Sequence, residues 1–275
     1  GLLRAEVNND LSERGGYELN DMYEGTMAVL YAVLTGQVPE SAWDNIGIAT
    51  VPYTTQEGET IDVLQGYRGS MHELWALGWI PYLESPLAPV IKNFAYAHMD
   101  AARKNGLPGV GATCYTSKGY QQIGPLSLAS HPGDREDVAT AYATAMLMLV
   151  DRDAGLSWFR NLYGYPGMAG NHGIIESVTP EGYANILSTD SKGLVLLSLC
   201  GGLREEVKAY LKSHTVPGTK VKMYDKLMEL LARKHRQLMD ARKGAPLRTA
   251  TKPYPKLPEV PFKVTLATEP VVPHE

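Results

Sequence analysis

The chain has 275 residues, enough for one large domain or two small ones with a substantial core. Hydrophobic residues make up 44% of it and charged residues 20%, and the net charge is −4. This balance leaves no surplus of Lys and Arg to neutralise phosphates, so we expect no nucleic-acid partner. No apolar run reaches the roughly 20 residues that a membrane-spanning helix needs.

Helix signals follow one another along most of the chain. A capping box at residues 21–24 precedes an apolar run through Leu34, which predicts a buried helix that stops before Gly36. The other predicted helices are 70–83, 88–104, 134–149, 191–200, 204–212 and 220–243.

Two Gly-rich stretches, 106–133 and 164–190, separate some of these helices. They are long for simple connections, so we expect them to carry function and to contain short β-hairpins. Helices that alternate with such loops favour a mainly α toroid over a four-helix bundle, whose connections are short. Binding sites in a toroid form where the connecting loops converge.

The chain divides by composition into two regions. We assign residues 1–244 to the helical toroid. Residues 245–275 contain seven prolines and are expected to form an extended arm. An ordered arm with so few internal hydrogen bonds should pack on a surface, either of its own domain or of a second chain.

The sequence lacks the common metal and cofactor motifs. It has no phosphate-binding Gly-Lys-Ser motif and no Gly-x-Ser-x-Gly elbow, and none of its seven histidines pairs at metal-ligand spacing. We therefore expect no cofactor and no metal. Cys114 and Cys200 also lack metal-type spacing. Cys200 lies in an apolar run and is predicted to be a buried thiol, and a disulfide between the two cysteines stays open.

Carboxylates beside aromatic residues are the most promising candidates for chemistry. The chain has 16 Tyr and 4 Trp but only 3 Phe. Tyr and Trp suit sugar-binding clefts because they join an apolar face to a polar tip, although compositional drift would give the same excess. Cleavage of a glycosidic bond needs a protonated carboxylic acid and an ionised carboxylate on opposite sides of the bond. Glu24 is our candidate acid; the alternative is that it only closes the capping box.

Two further clusters could complete such a site. Residues 67–79 would place His72, Trp75 and Trp79 on one helix face, to stack against sugar rings or to fill the core. Glu176 or Asp190 could hold or activate a water molecule opposite Glu24. The alternatives are an N-cap role for Asp190 on a buried helix and a solvated surface position for Glu176. The candidate sugar-binding residues are Tyr17, Asp21, Tyr23, His72, Trp75, Trp79, Tyr115 and His172.

The order of these motifs resembles the glycoamylase-like glycoside hydrolases. That group includes the endo-β-1,2-glucanases of glycoside hydrolase family 144 and relatives in cyclic β-1,2-glucan synthases. The resemblance rests on the segments 24–36, 38–44, 72–75, 106–115, 137–145, 173–178 and 189–194. It implies an (α/α)6 barrel, a β-linked glucan as substrate, and a periplasmic or secreted location. It also implies that Glu24 is the acid catalyst and that Asp190 lies near the cleft.

The chain departs from this group at its N-terminal end. The group has several helices before the acid-bearing motif, whereas this chain begins just before Glu24 and would hold only the larger, C-terminal part of the barrel. Because a truncated barrel would expose apolar surface, we expect a second chain or a cleaved N-terminal piece to complete it.

Three classes of function follow from the sequence. A glycoside hydrolase that uses general acid/base catalysis on a β-glucan is favoured, with an inverting or a retaining course left open. A non-catalytic structural or glycan-binding subunit is the alternative, and a polysaccharide lyase that uses Tyr and His is the third.

Overall fold

The computed structural model describes residues 26–66, 69–129, 133–171, 173–184 and 186–257, without the side chains of His72 and Glu73. The helices are α1 (Thr26–Leu34), α2 (Ser41–Asp44), α3 (Ala88–Lys104), α4 (Ala141–Met146), α5 (Arg152–Tyr163), α6 (Thr189–Leu199), α7 (Arg204–Ser213) and α8 (Met223–Ala241). The strands are β1 (Thr50–Thr54), β2 (Thr60–Leu64), β3 (Cys114–Thr116), β4 (Gly119–Gln121), β5 (Ala139–Thr140), β6 (Ala169–Gly170), β7 (Gly173–Ile174), β8 (Ser177–Thr179) and β9 (Gly182–Tyr183). Short 3-10 helices occur at Met71–Gly78, Tyr82–Glu84, Leu126–Leu128 and Leu147–Leu149.

Helix α3 lies in the middle of the core, and most of its side chains are buried. It packs against β2 and against the 3-10 helices of residues 71–84. Elsewhere α1 contacts α2 and α8, α4 contacts α5 and α6, and α7 packs on α8. The strands form four small antiparallel sheets of two or three strands, so helices dominate the described architecture.

Most of the predicted helices are confirmed within one to three residues at their ends. The prediction for 88–104 coincides with α3, and those for 191–200, 204–212 and 220–243 correspond to α6, α7 and α8. Helix α1 ends at Leu34, before Gly36 with its φ of 73°, as the stop signal predicts. The short hairpins expected in the Gly-rich loops are also present, as β3–β4, β6–β7 and β8–β9.

The helix predicted at 134–149 is wrong over its first half. Helix α4 begins only at Ala141, because the backbone before it bonds to other segments. The Asp134 amide donates to the Gln122 carbonyl over 2.7 Å, and Ala139 and Thr140 pair with β8. Tertiary hydrogen bonds therefore override the local helix signal.

Helix α5 was not predicted from the sequence. Asp151 caps it by accepting a hydrogen bond from the Ala154 amide over 2.9 Å. Gly155 lies on the contact face, where an added Cβ would come within 2.2 Å of the Met148 backbone nitrogen. The glycine therefore allows α5 to pack directly on the 3-10 helix Leu147–Leu149.

A buried lysine joins α8 to the end of α2. The Lys234 side chain is fully buried, and its Nζ donates to the carbonyls of Trp43 and Ile46 over 2.8 and 2.6 Å. Burial lowers the pKa of Lys234 to about 8. Lys234 thus supplies a buried donor to two carbonyls at and just beyond the end of α2.

The described part of the Pro-rich arm packs on its own domain. Arg248 forms an ion pair of 2.6 Å with Asp62 of β2, and the Ala250 amide donates to Asn93 of α3 over 3.1 Å. Further along, the Trp158 indole of α5 donates to the Pro255 carbonyl over 3.0 Å. Of the two surfaces predicted for the arm, its described part therefore packs on that of its own domain. Residues 258–275 lie outside the described residues.

Both cysteines are free thiols, so they form no disulfide. Cys114 is buried, whereas Cys200 is exposed, which contradicts the prediction of a buried thiol. The apolar run around Cys200 belongs to α6, and only one face of that helix is buried. Among the described residues, no helix combines the length and apolar character needed to cross a membrane.

We predict that Asp62 makes the stability of the protein depend on pH. Burial alone would raise its pKa, but hydrogen bonds from Arg248 and Arg242 outweigh burial and lower it to about 2. The folded-state pKa thus lies below the unfolded value of about 3.9, so the stability that Asp62 contributes is complete above that value and is lost as the pH falls toward 2. Replacing Asp62→Asn should remove this contribution.

Urea unfolding of both proteins measures the effect. The difference in unfolding free energy between wild type and Asp62→Asn should shrink by about 1 kcal/mol between about pH 6 and about pH 3. A difference that stays constant over this range would contradict the assignment.

Candidate active site

The described chain starts beside the segment that carries the predicted tryptophans. Thr26 is buried at the start of α1, and its Oγ1 lies 3.3 Å from the Tyr82 hydroxyl. Tyr82 follows the 3-10 helix Met71–Gly78 by four positions. Four predicted site residues precede Thr26 and lie outside the described residues: Tyr17, Asp21, Tyr23 and Glu24. His172 also lies outside them.

Residues 70–79, which we call the tryptophan segment, are wound differently from the prediction. Residues Met71–Gly78 form a 3-10 helix with three residues per turn, so the spacing of an α-helix on which the common face was predicted does not apply here. Trp79 lies beyond the end of this helix. Trp75 and Trp79 are both half-buried. The Trp75 ring meets Tyr142 edge to face, with centroids 6.1 Å apart.

Residues 139–144, which we call the central turn, bind both Gly-rich loops. The Thr140 amide donates to the Val110 carbonyl over 3.0 Å, and the Ala141 amide donates to the Glu176 carbonyl over 3.1 Å. The Tyr142 hydroxyl donates to the Thr113 carbonyl. The two loops therefore meet at the N-terminus of α4, next to Trp75.

Glu176 lies inside this assembly. Its side chain is only 5% exposed, so the predicted alternative of a solvated surface position is wrong. Its Oε2 accepts a hydrogen bond from the Ser191 hydroxyl over 2.6 Å. Burial, together with the nearby Glu176 charge, raises the pKa of Cys114. Glu176 therefore ties the loop that carries it to the first turn of α6.

Asp190 is exposed in the first turn of α6, a favourable place for a negative charge. The helix is capped by Ser188, whose hydroxyl accepts from the Ser191 amide over 3.2 Å, so the predicted N-cap role of Asp190 is wrong. The Ser188 hydroxyl donates to the Asp190 carboxylate. The helix is also not buried as predicted, because only Ser191, Val195 and Ser198 face the interior.

Hydrogen bonds connect the two candidate carboxylates. Glu176 accepts from Ser191, the Ser191 amide donates to Ser188, and Ser188 donates to Asp190. We call these four residues the carboxylate cluster. It has a buried end at Glu176 and an exposed end at Asp190, so only Asp190 presents a carboxylate to solvent.

Tyr115 lies on strand β3 of the β3–β4 hairpin, which is bonded to the residue after Glu176. Its side chain is 41% exposed, and its carbonyl accepts from the Ser177 hydroxyl over 2.5 Å. Directly opposite on β4 is Tyr120, which was not among the candidates chosen from the sequence. Two tyrosines on either side of a Lys-Gly turn were a signal that could have identified the pair.

The convergent loops bring together side chains of three kinds. These are an exposed carboxylate, half-buried Trp side chains and exposed Tyr side chains. In the described part of the chain, no group of three or more His, Cys, Asp and Glu residues is placed to hold a metal ion.

The fold is that of glycoamylase-like proteins. An endo-beta-1,2-glucanase from Talaromyces funiculosus, solved with sophorose and as a Glu-to-Gln mutant with beta-1,2-glucan, shares 23% identity. The mutant superimposes with a TM-score of 0.79 over 92% of this chain and 52% of that one. A candidate glucoamylase from Bacteroides caccae shares 15% identity, with a TM-score of 0.58 over 86% of this chain and 59% of that one. The chain thus spans about half the length of these proteins.

The family follows from the sequence profile that matches the chain. The profile of endo-beta-1,2-glucanase SGL, SGL_GH162, matches residues 3–263, and the chain belongs to this family. The predicted resemblance to the glycoamylase-like hydrolases as a group is confirmed, although the matching family is SGL_GH162 and not family 144. No curated protein matches the chain significantly.

We predict that Ser191→Ala destabilises the fold through Glu176. The variant would deprive a buried carboxylate of a hydrogen-bond donor, which costs about 1–3 kcal/mol. Ser213→Ala is the matched control, because the Ser213 hydroxyl is exposed and bonds only locally on α7. Urea unfolding compares the two variants. Equal midpoints for both would show that the Ser191–Glu176 contact does not support the cluster.

Proposed function

We propose that the chain is a glycoside hydrolase that cleaves a β-linked glucan, with β-1,2-glucan as the first substrate to test. The observation that carries the proposal is the family match, which runs from residue 3 to residue 263 and so includes Glu24, the central turn and the carboxylate cluster. The glucans solved with the Talaromyces enzyme, beta-1,2-glucan and sophorose, support the same choice. An (α/α)6 arrangement of the complete fold belongs to this proposal.

Glu24 is assigned the role of general acid. It donates a proton to the departing glycosidic oxygen, so that the leaving group departs as a neutral alcohol. The position of Thr26 beside Tyr82 supports this assignment, since the chain reaches the described structure next to the tryptophan segment. The sugar chain would lie between that segment and the carboxylate cluster.

Asp190 is the better candidate for the second carboxylate. Its side chain is exposed and accepts a hydrogen bond from Ser188, so it can orient or activate a water molecule. Glu176 is buried against Ser191 and is better suited to hold the cluster in place. Trp75, Trp79 and Tyr115 would contact the sugar rings, together with Tyr17, Asp21, Tyr23, His72 and His172. A periplasmic or secreted location remains part of the proposal.

We predict that Glu24→Gln binds glucan but loses turnover. The amide keeps the shape of the side chain but cannot supply a proton, which removes a factor of about 10² or more from the rate. Release of reducing sugar from linear β-1,2-glucan measures turnover, and calorimetry with an oligosaccharide measures binding. Full activity of the variant would refute the role of Glu24. A wild-type chain that binds the glucan and never cleaves it would instead be the non-catalytic alternative.

We also predict that Asp190→Asn reduces turnover without loss of stability, because an exposed side chain contributes little to folding. Asp153→Asn is the matched control, since Asp153 is likewise an exposed acid in the first turn of a helix. Reducing-sugar release and thermal melting of both variants separate the two effects. Equal activity of the two variants would remove Asp190 from the mechanism.

A further inference from the structure

The outer face of the β3–β4 hairpin is unusually aromatic. Along β3, Cys114 and Thr116 are buried while Tyr115 between them is 41% exposed. Tyr120 on β4 is the direct cross-strand neighbour of Tyr115 and is 61% exposed. The outward face of a half-buried antiparallel pair is normally polar, so two large rings exposed side by side need an explanation.

The two rings are in contact with each other. Their centroids are 5.2 Å apart with an angle of 66° between the planes, an edge-to-face pair. Such a pair contributes to the hairpin, but that contribution leaves much of both rings exposed to water. We call this pair the tyrosine platform.

Polar contacts hold the hairpin that carries the platform. Within the turn, Thr116 Oγ1 donates to Gln121 over 2.8 Å and accepts from the Lys118 amide over 3.1 Å. At the tip, Lys118 forms an ion pair of 3.3 Å with Glu181 of the β8–β9 turn. Glu181 in turn bonds to Arg135 over 3.0 Å. A platform fixed in this way loses little conformational entropy when it binds a ligand.

The two cations beside the platform are already paired. Lys118 and Arg135 share Glu181, and Arg135 also bonds to Asp137 over 2.8 Å. Burial alone would raise the pKa of Glu181, but hydrogen bonds from Thr179 and Arg135 lower it to about 2. The two cations are therefore neutralised by carboxylates, and a further carboxylate, Asp134, accepts from the Gln122 amide over 2.8 Å. This surface suits an uncharged ligand with apolar faces and hydroxyl groups and disfavours an anion.

Hydrogen bonds connect the hairpin that carries the platform to the candidate active site. Ser177, which follows Glu176, donates to the carbonyl of Tyr115. Two residues before Tyr115, the Thr113 amide donates to Ser70 over 3.0 Å, at the start of the tryptophan segment. The platform is therefore held on the same loops that carry the candidate active site.

We propose that Tyr115 and Tyr120 form a stacking subsite for neutral β-glucan, which binds sugar units beyond those at the cleaved bond. The proposal rests on the glucan substrate proposed above and adds to it a second residue, Tyr120, and a preference for long chains. Pyranose rings present C–H groups on their faces, and these pack on aromatic rings while the hydroxyls stay hydrated.

The test compares Tyr120→Thr, Tyr120→Phe and Tyr210→Ala. Thr keeps the β-branched side chain that suits a strand but removes the ring, and Phe keeps the ring. Tyr210 is the matched control, since it is 52% exposed and also contacts an aromatic neighbour, His214, but lies on α7. Native gels with and without linear β-1,2-glucan measure binding, with Glu24→Gln in every protein so that the polymer is not cleaved.

Tyr120→Thr should weaken retardation by the polymer about tenfold, whereas Tyr120→Phe and Tyr210→Ala should be retarded like the parent. In proteins that keep Glu24, Tyr120→Thr should raise KM for the polymer and leave kcat unchanged, a split that a purely structural role would not produce. Thermal melting confirms that the variant is folded.

Two results overturn the platform. One is a parent protein that the polymer does not retard, which would assign the surface to another partner. The other is a Tyr120→Thr variant that is retarded like the parent. Failure of the proposed function is distinct from both: wild type would release no reducing sugar even though the polymer retards the parent protein in a Tyr120-dependent way.

Discussion

The architecture of the candidate site depends on hydrogen bonds from the central turn to two irregular loops. Buried backbone groups outside helices and sheets still need hydrogen-bond partners, and glycine has no side chain that could supply one. Thr140, Ala141 and Tyr142 provide donors for the carbonyls of both loops. Thr140 is the N-cap of α4, and Ala141 and Tyr142 begin this helix, so the position of the loops is fixed by the core helix that follows. This constraint places Trp75, Glu176 and the segment that leads into β3 around the start of α4.

In the carboxylate cluster, the buried polar groups support the fold and the exposed polar groups face solvent. Glu176 and Ser191 face inward and join a loop to α6, while Asp190 and Ser188 face outward at the same helix end. A carboxylate that must act on water needs access to solvent, and one that supports a fold needs donors. The arrangement separates these requirements over four residues joined by hydrogen bonds. The Pro-rich arm is anchored differently, by ion pairs: two arginines neutralise the buried Asp62 carboxylate.

The sequence was most informative where local signals act alone. Apolar spacing and stop glycines predicted α3, α6, α7 and α8, and the order of short motifs indicated the glycoamylase-like group that the comparisons confirm. It failed where distant segments decide the local conformation. Residues 134–140 carry acidic helix-start signals yet bond to a loop and a strand, and the tryptophan segment winds as a 3-10 helix. Neither the bonds of residues 134–140 nor the 3-10 winding can be inferred from the spacing of residues along the sequence.

The site residues show the same division. Tyr115 and Asp190 were predicted from their types and motifs, and the structure places both on the surface beside the convergent loops. The burial of Glu176 depends on Ser191, fifteen positions away, so its environment was not visible in the sequence. Tyr120 was not predicted, because only the strand register places it directly opposite Tyr115. Glu24 remains the prediction on which the proposed chemistry rests.

Hydrogen–deuterium exchange of the chain with and without a β-1,2-linked glucan oligosaccharide tests the central claim most directly. If the convergent loops form a glucan cleft, the ligand slows exchange of amides in the tryptophan segment, in the β3–β4 hairpin and at the start of α6. Protection confined to α7 and α8, or no protection anywhere at saturating oligosaccharide, would contradict a glucan cleft at these loops.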